Sequence, residues 1–290
     1  MPERALVTGF TWIDGAVRLK AFRGDPPRLD DRLLDGRVCF RILPGRHCTG
    51  RYEGVAVPCP DAAPATRGTT CDACAALDAF RPCMTCDGFR CPRLSPDMLS
   101  YCRQRHHLYL ACFGDTTIKV GTASHPRRDQ RVVEQGPLAA ARIAVAPGPT
   151  IKQMEHLLVE AGLTETMRRT RKTVLITGSM TEPEARALVL EAAGDAREML
   201  PPRYHRHLHR PELVAQPPLA TQSRGLPVNE LKVDDDRVVE GQVVGAVGHV
   251  LFVEDGDGCF ALDLGALKGR WIEWDPTGPR RRPVAQLGLF

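Results

Sequence analysis

Nine of the eleven cysteines fall between Cys39 and Cys102. Nothing else in the chain constrains its fold as tightly, because clustered thiols need either oxidation or a metal ion. Met1-Pro2-Glu3-Arg4 is followed by no apolar stretch of the signal-peptide kind, and no apolar run reaches the roughly 18 residues of a membrane span. The sequence therefore predicts a cytoplasmic protein with no membrane partner. Thiols stay reduced in that compartment, so metal explains the cluster better than a disulfide framework.

The core of the cluster is Cys71-x2-Cys74, Cys83-x2-Cys86, Cys91 and Cys102. A two-residue turn lets both sulfurs of a knuckle reach one tetrahedral ion, and two knuckles complete a four-cysteine site. Cys91 and Cys102, with Cys48, Cys59 or His106, then supply a second. The other partition joins Cys48 or Cys59 to Cys71 and Cys74, leaving Cys83, Cys86, Cys91 and Cys102 for the second site. Spacing alone leaves both open. One or two structural Zn2+ ions are expected, with an Fe–S or redox role as the rival. An all-cysteine shell leaves no open position for water, so this metal is a staple.

At 290 residues the chain has room for two or three domains. Short apolar runs at 5–7, 17–19 and 38–42, punctuated by Gly and Pro, predict a β-rich module over residues 1–56. Residues 57–105 form the cysteine-rich segment, 106–210 an α/β core, and 211–290 a linker with a small β-barrel-like module. In the core, runs at 107–113 and 116–121 flank Gly114-Asp115 and predict a hairpin. Ser124 and Pro126 open a helix that Gly136 ends, a third strand covers 141–146, and Ile151, Met154, Leu158 and Ala161 recur at helical spacing beside Glu155. Thr181-Glu182-Pro183-Glu184 is a capping box for the next helix. Near the C-terminus, Asp255-Gly256-Asp257-Gly258 predicts a hairpin turn. The fold class is α+β, a small antiparallel sheet with flanking helices between two β-rich modules.

The hairpin, the Arg-bearing helix and the Glu-bearing helix resemble the core of the GIY-YIG nuclease superfamily over about residues 106–163. Tyr109 stands at the first motif's Tyr and Lys119-Val120-Gly121 at the second motif. Arg128, or Arg127 or Arg131 by a small register change, stands at the helix arginine, and Glu155 at the metal-binding glutamate. His107 replaces the first motif's Gly and Lys119 the second motif's Tyr. A narrower likeness covers most of the chain. Cysteine knuckles, then His107-Leu108-Tyr109-Leu110-Ala111, Ile118-Lys119-Val120-Gly121-Thr122 and Arg131-Val132-Val133-Glu134-Gln135-Gly136, resemble an uncharacterised prokaryotic family of the domain-of-unknown-function 2797 type.

The superfamily resemblance implies metal-dependent phosphodiester chemistry. Tyr109, Lys119, Arg128, Arg131 and Glu155 would carry it, with Mg2+ or Mn2+ at Glu155, and His107, Gly121, Arg127 and Gln135 would contact substrate. The net charge of +4 is too small to mark a nucleic-acid partner. Between Lys119 and Lys172, however, ten Lys and Arg stand against five Asp and Glu, and Arg168-Arg169-Thr170-Arg171-Lys172 is a candidate phosphate contact. Two rival functions follow: a zinc-stapled nucleic-acid-binding module without catalysis, and a fold recruited to small-molecule chemistry, with Cys112 as a free thiol. The sequence leaves the oligomeric state open.

Overall fold

Alternation of apolar and polar residues across Gly turns builds most of the strands here, because each run can bury only one face. The computed structural model describes residues 3–65, 68–91, 94–226 and 229–275. It is a mixed α+β protein in two units, Met1–Ala79 with Pro218–Phe290, and Phe80–Pro217. Among the described residues no helix is long and apolar enough to cross a membrane.

The first unit contains β1 (Arg4–Ile13), β2 (Ala16–Arg23), β3 (Arg28–Leu33), β4 (Arg37–Ile42), the short pair β5 (Arg51–Tyr52) and β6 (Ala56–Val57), and α1 (Asp72–Leu77). The second contributes α2 (Pro96–Arg103), β7 (Arg105–Cys112), β8 (Ile118–Ser124), α3 (Gln130–Gln135), β9 (Ala139–Pro147), α4 (Gly148–Glu160), α5 (Arg169–Ile176), α6 (Glu182–Met199) and β10 (Leu208–Leu213). The chain then returns to the first unit with α7 (Pro218–Gln222), β11 (Asn229–Leu231), β12 (Val238–Val247), β13 (Val250–Asp255), β14 (Gly258–Asp263) and β15 (Trp271–Trp274).

The N- and C-terminal strands, which read as separate modules in sequence, form one nine-stranded sheet in the order β11-β14-β13-β12-β4-β15-β1-β2-β3. Strand β4 lies between β12 and β15, and both of its partners come from the far end of the chain. The rings of Phe40 and Trp274 meet edge-on across that seam at 5.1 Å, and the Trp12 indole donates to the Gly248 carbonyl at 2.8 Å. The Asp255-to-Gly258 turn closes the β13–β14 hairpin.

The second unit is an antiparallel sheet in the order β10-β9-β7-β8. Its central strand β7 is buried along nearly its whole length, because both faces are covered. Leu108, Leu110 and Cys112 pack with Ile151, Met154 and Leu158 of α4 and with Ala185 and Val189 of α6. Tyr109, Ala111 and Phe113 pack in a separate cluster with Val132 and Met167. The apolar stripe beside Glu155 is thus what docks α4. The single helix anticipated after Ser124 is instead a 3-10 turn, His125–Arg127, followed by α3. Gly136 closes α3 with φ +71°, a left-handed conformation that favours glycine. At the start of α6, Glu184 accepts from both the amide and the hydroxyl of Thr181 at 2.7 Å.

Leu110 is fully buried between β7, α4 and α6. Leu110→Ala is expected to lower unfolding stability by about 2–5 kcal/mol, the cost of a core cavity, as read by chemical denaturation.

Candidate functional site

Two arrangements of reactive side chains stand out, one in each unit. In the first unit the sulfurs of Cys48, Cys59, Cys71 and Cys74 all lie within 4.8 Å of one another. Local backbone geometry brings them there. Cys48 accepts hydrogen bonds at its sulfur from the amides of Gly50 (3.4 Å) and Cys71 (3.1 Å). The turn needs Gly50, whose φ is +81° and where a Cβ would sit 1.9 Å from the Val57 carbonyl oxygen. Cys71 precedes α1 and Cys74 lies within it, so the Cys-x2-Cys spacing spans a helix start.

Burial, then the neighbouring thiols Cys48, Cys71 and Cys59, push the Cys74 thiol up to about 12. The backbone amide of Cys74, acting first, draws Cys71 below its usual range. Such a set of soft donors can hold one metal ion. None of the eleven cysteines is in a disulfide.

The two knuckles therefore do not share one site: Cys71 and Cys74 close with Cys48 and Cys59. Among the described residues this is the one group of His, Cys, Asp and Glu gathered so closely. His106 is not part of it; its ring Nδ1 meets the Gln104 carbonyl at 3.0 Å. Cys83, Cys86, Cys91 and Cys102 belong to the second unit, where they line a cavity.

That cavity, of about 580 Å³, also brings together Tyr109, Lys119, Gly121, Arg127, Arg131, Gln135 and Glu155. Tyr109 and Gly121 are cross-strand partners in the β7–β8 hairpin. A Cβ on residue 121 would lie 2.5 Å from both Cζ and Oη of Tyr109, so the glycine makes room for the phenol ring. Burial pushes the Tyr109 hydroxyl up to about 12, which keeps it protonated near neutrality. Lys119 is buried, donates to the carbonyls of Val120 and Glu165, and is held below the usual lysine range by burial. Glu155 is also buried; burial raises its pKa against the pull of Lys152, which donates to its carboxylate from one helical turn earlier.

The arginines divide. Arg127 makes a two-pronged contact with buried Glu134 at 2.9 and 2.7 Å, and Arg131 stands 3.9 Å from the same carboxylate. Arg128 is not among the cavity residues; it bonds the His125 carbonyl at 3.1 Å and pairs with Asp129 at 3.5 Å. His107 is also elsewhere. Its ring stacks on His125, with ring nitrogens 2.8 Å apart. In the basic tract, Arg171 pairs with Asp115, while Lys172 is buried over the Phe113 ring and bonded to Gln135. Cys112 is fully buried, its thiol donating to the Asp115 carbonyl.

Two cavity contacts went unread in the sequence. Lys152 sits three residues before Glu155, and Glu134 three after Arg131. The i,i+3 rule on a helix could have found both.

Two outcomes check this geometry. Gly121→Ala should cost about 1–3 kcal/mol through overpacking, and combining it with Tyr109→Ala should recover part of that loss in a double-mutant cycle. For His107, burial first and then His125, Arg142, Arg128 and His209 depress the pKa to about 4. The folded ring refuses a proton that the unfolded chain accepts below about pH 6.5. Stability should accordingly be fully present above pH 6.5 and fall as pH drops toward 4, with His107→Phe flattening that dependence in denaturation series.

A family model described as a protein of unknown function (DUF2797) matches residues 92–270. No curated protein and no solved structure matches the chain.

Proposed function

Because the chain belongs to the family described as a protein of unknown function (DUF2797), a description that names no activity, we propose its function from the cavity itself: a divergent GIY-YIG-like, metal-dependent enzyme that cleaves phosphodiester bonds of nucleic acid. The observation that carries this reading is the convergence of Tyr109, Lys119, Arg131 and Glu155 on one cavity. A hydroxyl, two cations and a carboxylate are the groups that phosphoryl chemistry asks for.

Glu155 offers the hard oxygen donor that would hold Mg2+ or Mn2+. Such an ion supplies charge neutralisation at the phosphate. Arg131, with Arg127 behind the shared Glu134, clamps non-bridging oxygens, and Lys119 adds a second cation from the adjacent strand. Tyr109, kept protonated by burial, positions the attacking water rather than deprotonating it. Water attacks phosphorus, the bond to the leaving oxygen breaks, and the proton that the water sheds passes through solvent to that oxygen. Arg128 and His107 have no part in this arrangement. In the other unit, Zn2+ held by Cys48, Cys59, Cys71 and Cys74 serves as a structural staple.

The Lys152–Glu155 ion pair favours a second reading. It occupies the carboxylate that a metal would need, as suits a module that binds nucleic acid without cutting it.

Labelled single-stranded DNA, duplex DNA and RNA incubated with Mg2+ or Mn2+ separate the two. Cleavage is expected, with a loss of roughly 100-fold or more in Glu155→Ala, comparable to removal of one transition-state contact, while circular dichroism stays native. Binding by fluorescence anisotropy without turnover would replace the enzyme reading with the binding one. Inertness in both assays would leave small-molecule chemistry.

A further inference from the structure

We infer that Cys83, Cys86, Cys91 and Cys102 form a second tetrathiolate site, for a borderline-soft divalent ion of the zinc class, built into the wall of the cavity that holds Glu155. This stands independently of the phosphodiester reading, since it concerns what organises the cavity and not what reacts in it.

Three observations converge on it. First, all four thiols line that one cavity, although they are separated by up to nineteen positions in sequence. Second, the loop after Cys86 repeats the local geometry of the closely gathered cluster. The Gly88 amide donates to the Cys86 sulfur at 3.3 Å, as the Gly50 amide does to Cys48 at 3.4 Å. Both are Cys-x-Gly turns, and both glycines have φ +81°. An amide aimed at sulfur stabilises a thiolate, the form that ligates metal. The Cys86 amide also closes back on the Cys83 carbonyl at 3.3 Å, so Cys83-x2-Cys86 is itself a tight turn.

Third, two of the ligand-bearing segments are fixed against the same first turns of α4. Gly88 lies so close that a Cβ would stand 2.3 Å from the Pro149 carbonyl oxygen, and its own carbonyl accepts from Gln153 Nε2 at 2.8 Å. A Cβ on Gly148 would stand 2.3 Å from the Cys102 carbonyl oxygen. The loop bearing Cys86 and the helix bearing Cys102 are therefore held by one scaffold.

The sulfurs are spread more widely than those of the first cluster, and ligation draws them together across the cavity wall. Each ligating thiol gives its proton to solvent as its sulfur–metal bond forms. Filling this site fixes the 83–91 loop and α2 against α4, the helix that presents Glu155.

The test uses the full-length protein purified under reducing conditions from zinc-supplemented cells. Elemental analysis is expected to give two zinc equivalents per chain, falling to one in Cys83→Ser/Cys86→Ser. Because that variant can fail to fold, the wild-type protein is also alkylated with iodoacetamide and mapped by mass spectrometry. Cys91, whose side chain is exposed, and Cys83, Cys86 and Cys102 should be protected until a chelator strips both metals. One zinc equivalent, with these four thiols alkylated freely while Cys48, Cys59, Cys71 and Cys74 stay protected, overturns the proposal. So does a disulfide among the four under reducing conditions. Two equivalents in a protein that cleaves nothing would uphold this site and remove the enzyme reading, so the two failures are distinguishable.

Discussion

The contact of the Tyr109 ring with the bare backbone of Gly121 is the constraint on which the cavity depends. It pins the β7–β8 register, because a side chain at position 121 would collide with the phenol. With the register pinned, Lys119 falls two residues along the same strand and on the same side as Gly121, and α4 packs its apolar stripe beneath the sheet with Glu155 left to face the cavity. Sliding the hairpin by one residue would move Lys119 and residue 121 to the opposite face, away from Glu155. A missing side chain thus does as much for the site as the charged ones present.

The electrostatics of the cavity follow from burial. Lys119 and Glu155 are both driven toward their neutral forms by loss of water, and each has a charged neighbour that opposes this: Glu155 for Lys119, Lys152 for Glu155. An incoming anion or cation would therefore meet groups whose charge is only partly compensated inside the protein. Such sites respond strongly to what binds, because interactions in a poorly solvated cavity are weakly screened.

The sequence showed the ingredients of this site better than their grouping. The stripe of Ile151, Met154 and Leu158 declared a helix with Glu155 at its edge, and the Gly114-Asp115 turn declared the hairpin, because both signals are local. Which arginine faces the cavity was not legible. The chain breaks into a 3-10 turn between Ser124 and Asp129, and that break rotates Arg128 away while Arg127 and Arg131 remain. The cysteine partition stayed open for a similar reason. Spacing allowed a site shared by the two knuckles as well as one joining Cys48 or Cys59 to Cys71 and Cys74; the structure takes the second, with both of those cysteines, whose approach depends on the Gly50 turn and the β5–β6 pair. The shared sheet of the chain's two ends was hidden as well, since periodicity reports that a strand exists and not what it pairs with.

That shared sheet bears on the order in which the protein can be made. Strands β1, β2 and β3 can pair as soon as they are synthesised, but β4 must wait for β12 and β15, which lie beyond the entire second unit. As the chain emerges from the ribosome, residues 80–217 are therefore complete before the first unit has the strands to close around Phe40 and Ile42. Domains generally fold as units during synthesis, so the interrupted sheet makes the inner unit the natural first folder. The outer unit is left with its longest-range pairing for last, and the apolar residues of β4 stay uncovered until β12 and β15 have been made.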